Sequence, residues 1–229
     1  GVPMGTDIRA SHRKSKTADF SFGLKWMLTD ADEFSTDLQF IKADTNSLDS
    51  TVALGVNVPY IDVTLGGVPS IGINQQFTTN PANYYWGFTM DHQDKNEAEQ
   101  VTWRADLKHS FDNGVFRSIK FGVRVTDRSA TNIDTGYNWK PVFQTWMQWW
   151  ALPGGVPMPP LDLNGTINQS RVNLNTFENF YRGGANTPGA FYAPNLDLAL
   201  GFPGSYQDIH DAAAPFYTCC YAGAYSQTP

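Results

Sequence analysis

Apolar and polar residues alternate with a period of two in four stretches of this chain, and no other feature limits its possible folds as sharply. Phe20, Phe22, Leu24, Trp26 and Leu28 alternate with Ser21, Gly23, Lys25 and Met27. After a short polar link at Thr29–Glu33, Phe34, Thr36, Leu38 and Phe40 fall on one face, and Ser35, Asp37, Gln39 and Ile41 on the other. Successive side chains of an extended strand point to opposite faces, so the two stretches read as a β-hairpin. Val101, Trp103, Ala105 and Leu107 alternate with Thr102, Arg104, Asp106 and Lys108. Ile119, Phe121, Val123 and Val125 then alternate with Lys120, Gly122, Arg124 and Thr126. Between them lies Asp112-Asn113-Gly114, and Asn-Gly predicts a tight turn because both residues tolerate positive φ.

Each alternating stretch is about 9–11 residues long, which is what a tilted strand needs to cross a bilayer. One face is apolar, while the other carries Lys25, Asp37, Arg104, Asp106, Lys108, Lys120 and Arg124. Lipid outside and water inside a transmembrane barrel produce that division. Loop lengths point the same way. The two hairpin turns are short, and the connections from Ala43 to Asn96 and from Asp127 onward are long, as expected of periplasmic turns and external loops. The expectation is therefore an all-β chain, an antiparallel transmembrane β-barrel segment of about four strands. Residues 1–18 form an N-terminal loop segment, 19–128 hold two hairpins with an external loop at 43–96, and 129–229 form a long aromatic-rich extracellular loop region. A soluble antiparallel sandwich, with one face packed inward, explains the alternation equally well and the loop lengths less well.

Composition agrees with strands and ordered loops. The chain is 14% aromatic and 17% charged, against about 25% charged in an average soluble domain. Its net charge of −6 argues against a nucleic-acid partner. The one basic cluster, His12, Arg13, Lys14 and Lys16, reads as a solvated segment. Cys219 and Cys220 are adjacent, a spacing that strains a bridge between them, and their redox state stays open. No apolar run reaches the ~20 residues of a membrane-spanning helix, and no signal peptide opens the chain. Because it starts at Gly1, a processed or partial chain is expected.

Several segments, taken in order, resemble a known family. Phe116-Arg-Ser-Ile-Lys-Phe-Gly-Val-Arg-Val-Thr-Asp-Arg128 is similar to a KFGVRYTDR strand of TonB-dependent receptors. Thr89-Met-Asp-His92, Asn96-Glu-Ala-Glu99 and Trp103-Arg-Ala-Asp106 resemble the strand before it, and Leu38-Gln-Phe-Ile-Lys-Ala43 an earlier LQYVKA strand. Phe180-Tyr-Arg-Gly183 and the aromatic tail resemble a large external loop. The subgroup is that of carbohydrate-scavenging proteobacteria, and the likeness spans most of the chain. What the resemblance implies is part of a bacterial outer-membrane receptor that binds and imports a scarce nutrient, an oligosaccharide in this subgroup. Such receptors have a barrel of about 22 strands closed by a plug. The implied partners are the rest of the same barrel and its plug, the TonB complex reached through that plug, outer-membrane lipid, and a small-molecule or oligosaccharide ligand. No plug domain, TonB box or terminal aromatic strand is recognisable here, and four strands leave two open edges that hydrocarbon does not tolerate.

Candidate ligand-binding residues are the loop aromatics Tyr84, Tyr85, Trp86, Trp139, Trp146, Trp149 and Trp150, whose rings can stack on sugars while nearby amides and carboxylates bond hydroxyls. The plainer reading is that they fold the loops or form an interfacial belt. Asp91, Asp94 and Glu97 form a candidate calcium set, because Ca²⁺ requires several oxygens in a close loop; the plainer reading is solvated charge. No catalytic residue, and no other metal or cofactor, is expected, and the chain is read as a non-enzyme. Asn164-Gly-Thr166 and Asn168-Gln-Ser170 match glycosylation sequons, which favour the alternative of a soluble or secreted β-rich carbohydrate-binding or structural module.

Overall fold

The computed structural model describes residues 2–68, 70–142, 159–185 and 189–216. Among them nine strands dominate: β1 (Val2–Met27), β2 (Asp32–Val58), β3 (Asp62–Thr64), β4 (Ser70–Gly72), β5 (Tyr84–Ser110), β6 (Ser118–Asp134), β7 (Asn138–Pro141), β8 (Val172–Thr176) and β9 (Ala190–Pro194). The helices α1 (Gln75–Thr78), α2 (Leu196–Leu200) and α3 (Gly204–Ala213) lie between and after them. The fold is mostly antiparallel sheet. Its main sheet has the order β1-β2-β5-β6, with β7 also pairing β5, while β3–β4 and β8–β9 form small sheets of their own. Among the described residues no helix is long and apolar enough to cross a membrane.

The strands are far longer than the alternation predicted. β1 runs 26 residues and β2 and β5 run 27, more than twice the expected length. Residues 1–18, expected as loop, belong to β1 from Val2 onward. Much of the expected 43–96 loop is also strand: β2 continues to Val58 and β5 begins at Tyr84. The physical reason is that extended pairing needs no apolar face where both sides of a sheet carry polar groups.

The chain divides into two compact units, and three strands contribute to both. One unit comprises His12–Leu48 and Gln93–Asp134. Its first turn is closed by Thr29, whose hydroxyl donates to Asp32 Oδ2 at 2.8 Å and accepts from the Asp32 N–H at 2.9 Å. The second turn differs from expectation. It runs from Phe111 to Arg117, closed by the Phe111 N–H on the Arg117 carbonyl at 3.0 Å. Gly114 alone takes positive φ there, at 122°, because the longer loop turns without the paired positive φ values of a two-residue link.

The other unit comprises Gly1–Ser11, Asp49–His92 and Thr135–Pro229. It contains the hydrophobic core. Val52, Leu54, Val56 and Val58 of β2 alternate into it, joined by Tyr84 and Trp86 of β5, Leu198 of α2, and Leu161, Ile167 and Val172. From α3, Tyr206, Ile209, His210 and Ala213 are buried at the i, i+3, i+4, i+7 spacing of one helix face. The Tyr206 hydroxyl lies 2.8 Å from the Thr51 carbonyl and 2.9 Å from that of Met90, tying the helix to two strands. Gly55 is required where it stands, since a Cβ there would collide with the Tyr85 ring. A Gly55→Ala protein should lose about 1–3 kcal/mol through that overpacking, read as a lowered unfolding midpoint.

His210 gives this unit a pH dependence. It is 4% exposed, and its ring nitrogen Nε2 lies 2.8 Å from Thr89 Oγ1. Burial, helped by the charge of Lys140 and opposed by that of Asp211, lowers its pKa from 6.5 to about 4. The unfolded chain therefore binds a proton between those values that the folded chain refuses. The stability is present above pH 6.5 and is lost as pH falls toward 4. Between pH 7 and pH 5 the loss should be about 2 kcal/mol, at about 1.36 kcal/mol per pH unit. Urea unfolding followed at both pH values checks this, and a His210→Gln protein should lack that step.

Candidate functional site

The unit built from His12–Leu48 and Gln93–Asp134 has two unlike faces. β5 and β6 fix them by register: Trp103 stands opposite Val125, Ala105 opposite Val123, Leu107 opposite Phe121 and His109 opposite Ile119. On the same pair of strands, Thr102 faces Thr126, Arg104 faces Arg124, Asp106 faces Gly122 and Lys108 faces Lys120. One face is thus almost wholly apolar and the other almost wholly polar.

The apolar face is open. Phe20 and Phe22 are each 67% exposed, Trp26 60% and Phe121 64%, and Leu24, Leu38, Phe40, Trp103, Leu107, Val123 and Val125 are exposed as well. None of the described core residues comes from this stretch of the chain. Polar atoms on the apolar face are satisfied locally: the Trp103 indole N–H donates to Thr36 Oγ1 at 3.0 Å, and that hydroxyl donates to the Arg104 carbonyl at 2.9 Å.

The polar face is a network of charges. Like charges stand directly opposite at Arg104–Arg124 and Lys108–Lys120, and Asp106 lies between the two rows. Its carboxylate takes Arg104 Nε at 2.8 Å and Lys120 Nζ at 3.4 Å, which offsets the repulsion. Gly122 leaves room for it, because a Cβ at that position would meet the Asp106 carboxylate. Lys25 pairs with Glu33 at 2.9 Å, and the Gln39 amide donates to both oxygens of Asp19 at 3.1 and 2.9 Å.

The loop aromatics fare differently from their expectation. Tyr84 and Tyr85 are each 3% exposed and Trp86 is wholly buried, so their rings present no face to a sugar. The Trp86 indole N–H donates to the Leu161 carbonyl at 3.0 Å, and the Tyr84 hydroxyl donates to that of Thr78 at 2.6 Å. Burial also pushes the Tyr84 phenol up to about 12. These three residues are core, which corrects their reading as ligand contacts. Trp139 on β7 keeps an accessible ring, tilted against Phe88 at 5.7 Å between centroids. Trp146, Trp149 and Trp150 lie outside the described residues, as do Cys219 and Cys220.

The candidate calcium residues do not converge. They sit three apart along β5, and a spacing of three sends successive side chains of a strand to opposite faces. Each has its own partner: Asp91 is buried and accepts from Asn138 Nδ2 at 3.0 Å, Asp94 accepts from the Ser47 hydroxyl at 2.9 Å, and Glu97 pairs with Lys95 at 3.0 Å.

Two groupings escaped the sequence reading. Arg9 Nη2 lies 2.8 Å from Asp49 Oδ2, and His92 stacks on the exposed ring of Tyr137 at 4.5 Å. Hydrogen bonds from Ser11 and Arg9 hold the Asp49 carboxyl below its usual range. Phe177, Phe180 and Phe191 line a groove of about 430 Å³ together with Asp7 and Asn175. Both groupings join residues far apart in sequence, and no local spacing announces them. No known family model matches the chain, and no curated protein is significantly similar to it.

Proposed function

We propose that this chain is wall and loop of an outer-membrane β-barrel, part of a TonB-dependent receptor that binds a scarce nutrient outside the cell and imports it. The observation that carries the reading is the sheet with one exposed apolar face and one charged face. In water such a face is costly: contiguous apolar patches on soluble monomers rarely exceed a few hundred Å². In a bilayer the same face is solvated by acyl chains, and the charged face lines an aqueous lumen. β1 and β6 are the outer strands of the sheet among the described residues, and further strands of the same barrel satisfy their edges.

The ligand of this reading is an oligosaccharide. Trp139 and Tyr137 are the exposed rings of the Gly136–Lys140 stretch, beside the polar groups of Arg9, Asp49 and His92. The plug and the TonB complex are partners that the reading requires. The test is fractionation of cells expressing the full-length protein. It should sediment with outer membranes and need detergent for release. Recovery in the soluble fraction without detergent would overturn the reading in favour of a soluble β-rich module.

A further inference from the structure

A groove of about 430 Å³ opens in the unit that holds the hydrophobic core. Small-molecule sites run from roughly 300 to 1,000 Å³, so it is large enough to be one. Three phenyl rings form its body: Phe191 on β9, with Phe177 and Phe180 on the segment after β8. The β8–β9 register brings them there. Asn175 stands opposite Phe191, so both turn to the groove, while Tyr192, one residue on, turns to the core and meets Tyr84 edge-on at 5.4 Å. The Phe177 N–H closes the hairpin on the Gly189 carbonyl at 2.9 Å, and the Phe177 ring meets Phe191 edge-on at 6.3 Å. Phe177 and Phe180 are 48% and 46% exposed, so their rings are open to an occupant.

The polar side chains of the groove are Thr6, Asp7 and Asn175, and all three offer acceptors. Asp7 brings a carboxylate. Thr6 spends its hydroxyl proton on the Tyr192 carbonyl at 2.6 Å, and Asn175 spends an amide hydrogen on the Asn173 carbonyl at 3.1 Å, which leaves their oxygens to accept. No lysine or arginine lines the groove. Asp7 has no ion-pair partner among the described residues, and Arg9, the nearest cation along β1, is held by Asp49 at 2.8 Å. A phenyl ring is negative over its face, which adds potential of the same sign. A sugar fits this lining badly, because its hydroxyls need donors as well as acceptors and would stand unpaired against the rings. An ammonium group supplies both the donors and the positive charge that the lining lacks.

We infer that the groove binds an amine carried on an apolar body, an arylalkylammonium ion, with the body among Phe177, Phe180 and Phe191 and the ammonium at Asp7. Asp7 is exposed, so the ligand's charge stays partly hydrated at the rim while its body is buried, and the desolvation cost of a fully buried ion pair is avoided. The site shares no residue with the Gly136–Lys140 stretch proposed for the oligosaccharide, and it stands whether or not the chain is barrel wall.

Titration calorimetry of the full-length protein tests this, in detergent or in buffer as fractionation dictates. The probes are tryptamine, tryptophol and indole-3-propionate, which share an indole body and end in a positive, a neutral and a negative group. Tryptamine should bind saturably, tryptophol about 10-fold more weakly, and indole-3-propionate more weakly still, as a rim ion pair and a cation–π contact together imply. Asp7→Asn should bring tryptamine down to the affinity of tryptophol. It should leave tryptophol binding unchanged, which also reports that the groove is intact. Phe180→Ala should weaken tryptamine and tryptophol alike, and Asp208→Asn, an exposed carboxylate on α3, should change nothing. No saturable binding of tryptamine, equal binding of the three probes, or tryptamine binding unchanged by Asp7→Asn would each overturn the inference. Displacement of tryptamine by a glucosamine trisaccharide at equal concentration would overturn it too, since that marks a sugar site.

Discussion

A Trp86→Ala protein should be less stable by about 3–5 kcal/mol, the largest effect expected of any single change here. Trp86 is wholly buried near the start of β5, in the core cluster that includes Leu54, Tyr206 and Ile209. Two losses combine. The cavity left by an indole removes contacts that its surroundings only partly recover. The Leu161 carbonyl also loses the indole N–H that reaches it at 3.0 Å, which leaves a buried acceptor without that donor. Trp86→Phe separates the two, because it keeps most of the volume and loses only the hydrogen bond; it should cost about 1–3 kcal/mol. Chemical unfolding followed by tryptophan fluorescence and near-UV circular dichroism reads both. If Trp86→Ala left the midpoint unchanged, the ring would have to be outside the core, and its assignment as a ligand-stacking residue would return.

That same residue shows where sequence reading succeeds and where it stops. The alternation at Phe20–Leu28, Phe34–Ile41, Val101–Lys108 and Ile119–Thr126 identified the four main strands because each has one apolar and one polar face, and two unlike faces impose a period of two. The structure extends those strands through His12–Ala18 and Ala43–Asp49, where both sides are polar and the period is silent. Val52, Leu54, Val56 and Val58 alternate into the core, but burial there does not alternate: Ser50 through Val56 are buried without a break, and Ala53 and Gly55 between the large residues blur the pattern, so the segment read as loop. α3 carries the helical spacing Tyr206, Ile209, His210, Ala213, which the reading of 129–229 as a long external loop missed. Tyr84-Tyr85-Trp86 is the instructive failure. A run of aromatics in a segment thought to be loop suggests stacking on a ligand, but once β5 is seen to begin at Tyr84, the rings of Tyr84 and Trp86 become the natural filling of the core, while that of Tyr85 packs over Gly55. The Arg9–Asp49 pair and the Phe177–Phe191 groove depend on contacts between distant segments, and those are set by topology and not by local composition.

Arginine placed on the apolar face should discriminate between the two environments that can cover it. Leu107 and Phe121 stand directly opposite each other on β5 and β6, 42% and 64% exposed. If acyl chains cover them, Leu107→Arg or Phe121→Arg should each cost about 2–4 kcal/mol near the bilayer midplane, where a guanidinium has no water to solvate it. The effect should fall toward roughly 0–1 kcal/mol at the ends of the apolar band, so arginine at Phe20 or Ile119 should be tolerated better than at Leu107. Because the two positions share one rung of the sheet, the double variant should depart from the sum of the singles, two arginines directly opposite each other adding their mutual repulsion. Arginine at Thr126, exposed on the polar face, should cost little in a water-filled lumen. Folding yield into bilayers of defined thickness, read by urea titration of the full-length protein, measures this series. A depth-dependent penalty confined to the apolar face is a signature that a soluble sandwich does not share. There the cost would follow packing against a second protein layer, and would not fall off in step toward both ends of the band. Uniform tolerance of arginine on both faces would mean that water covers both, and the barrel reading would then have lost the observation that supports it.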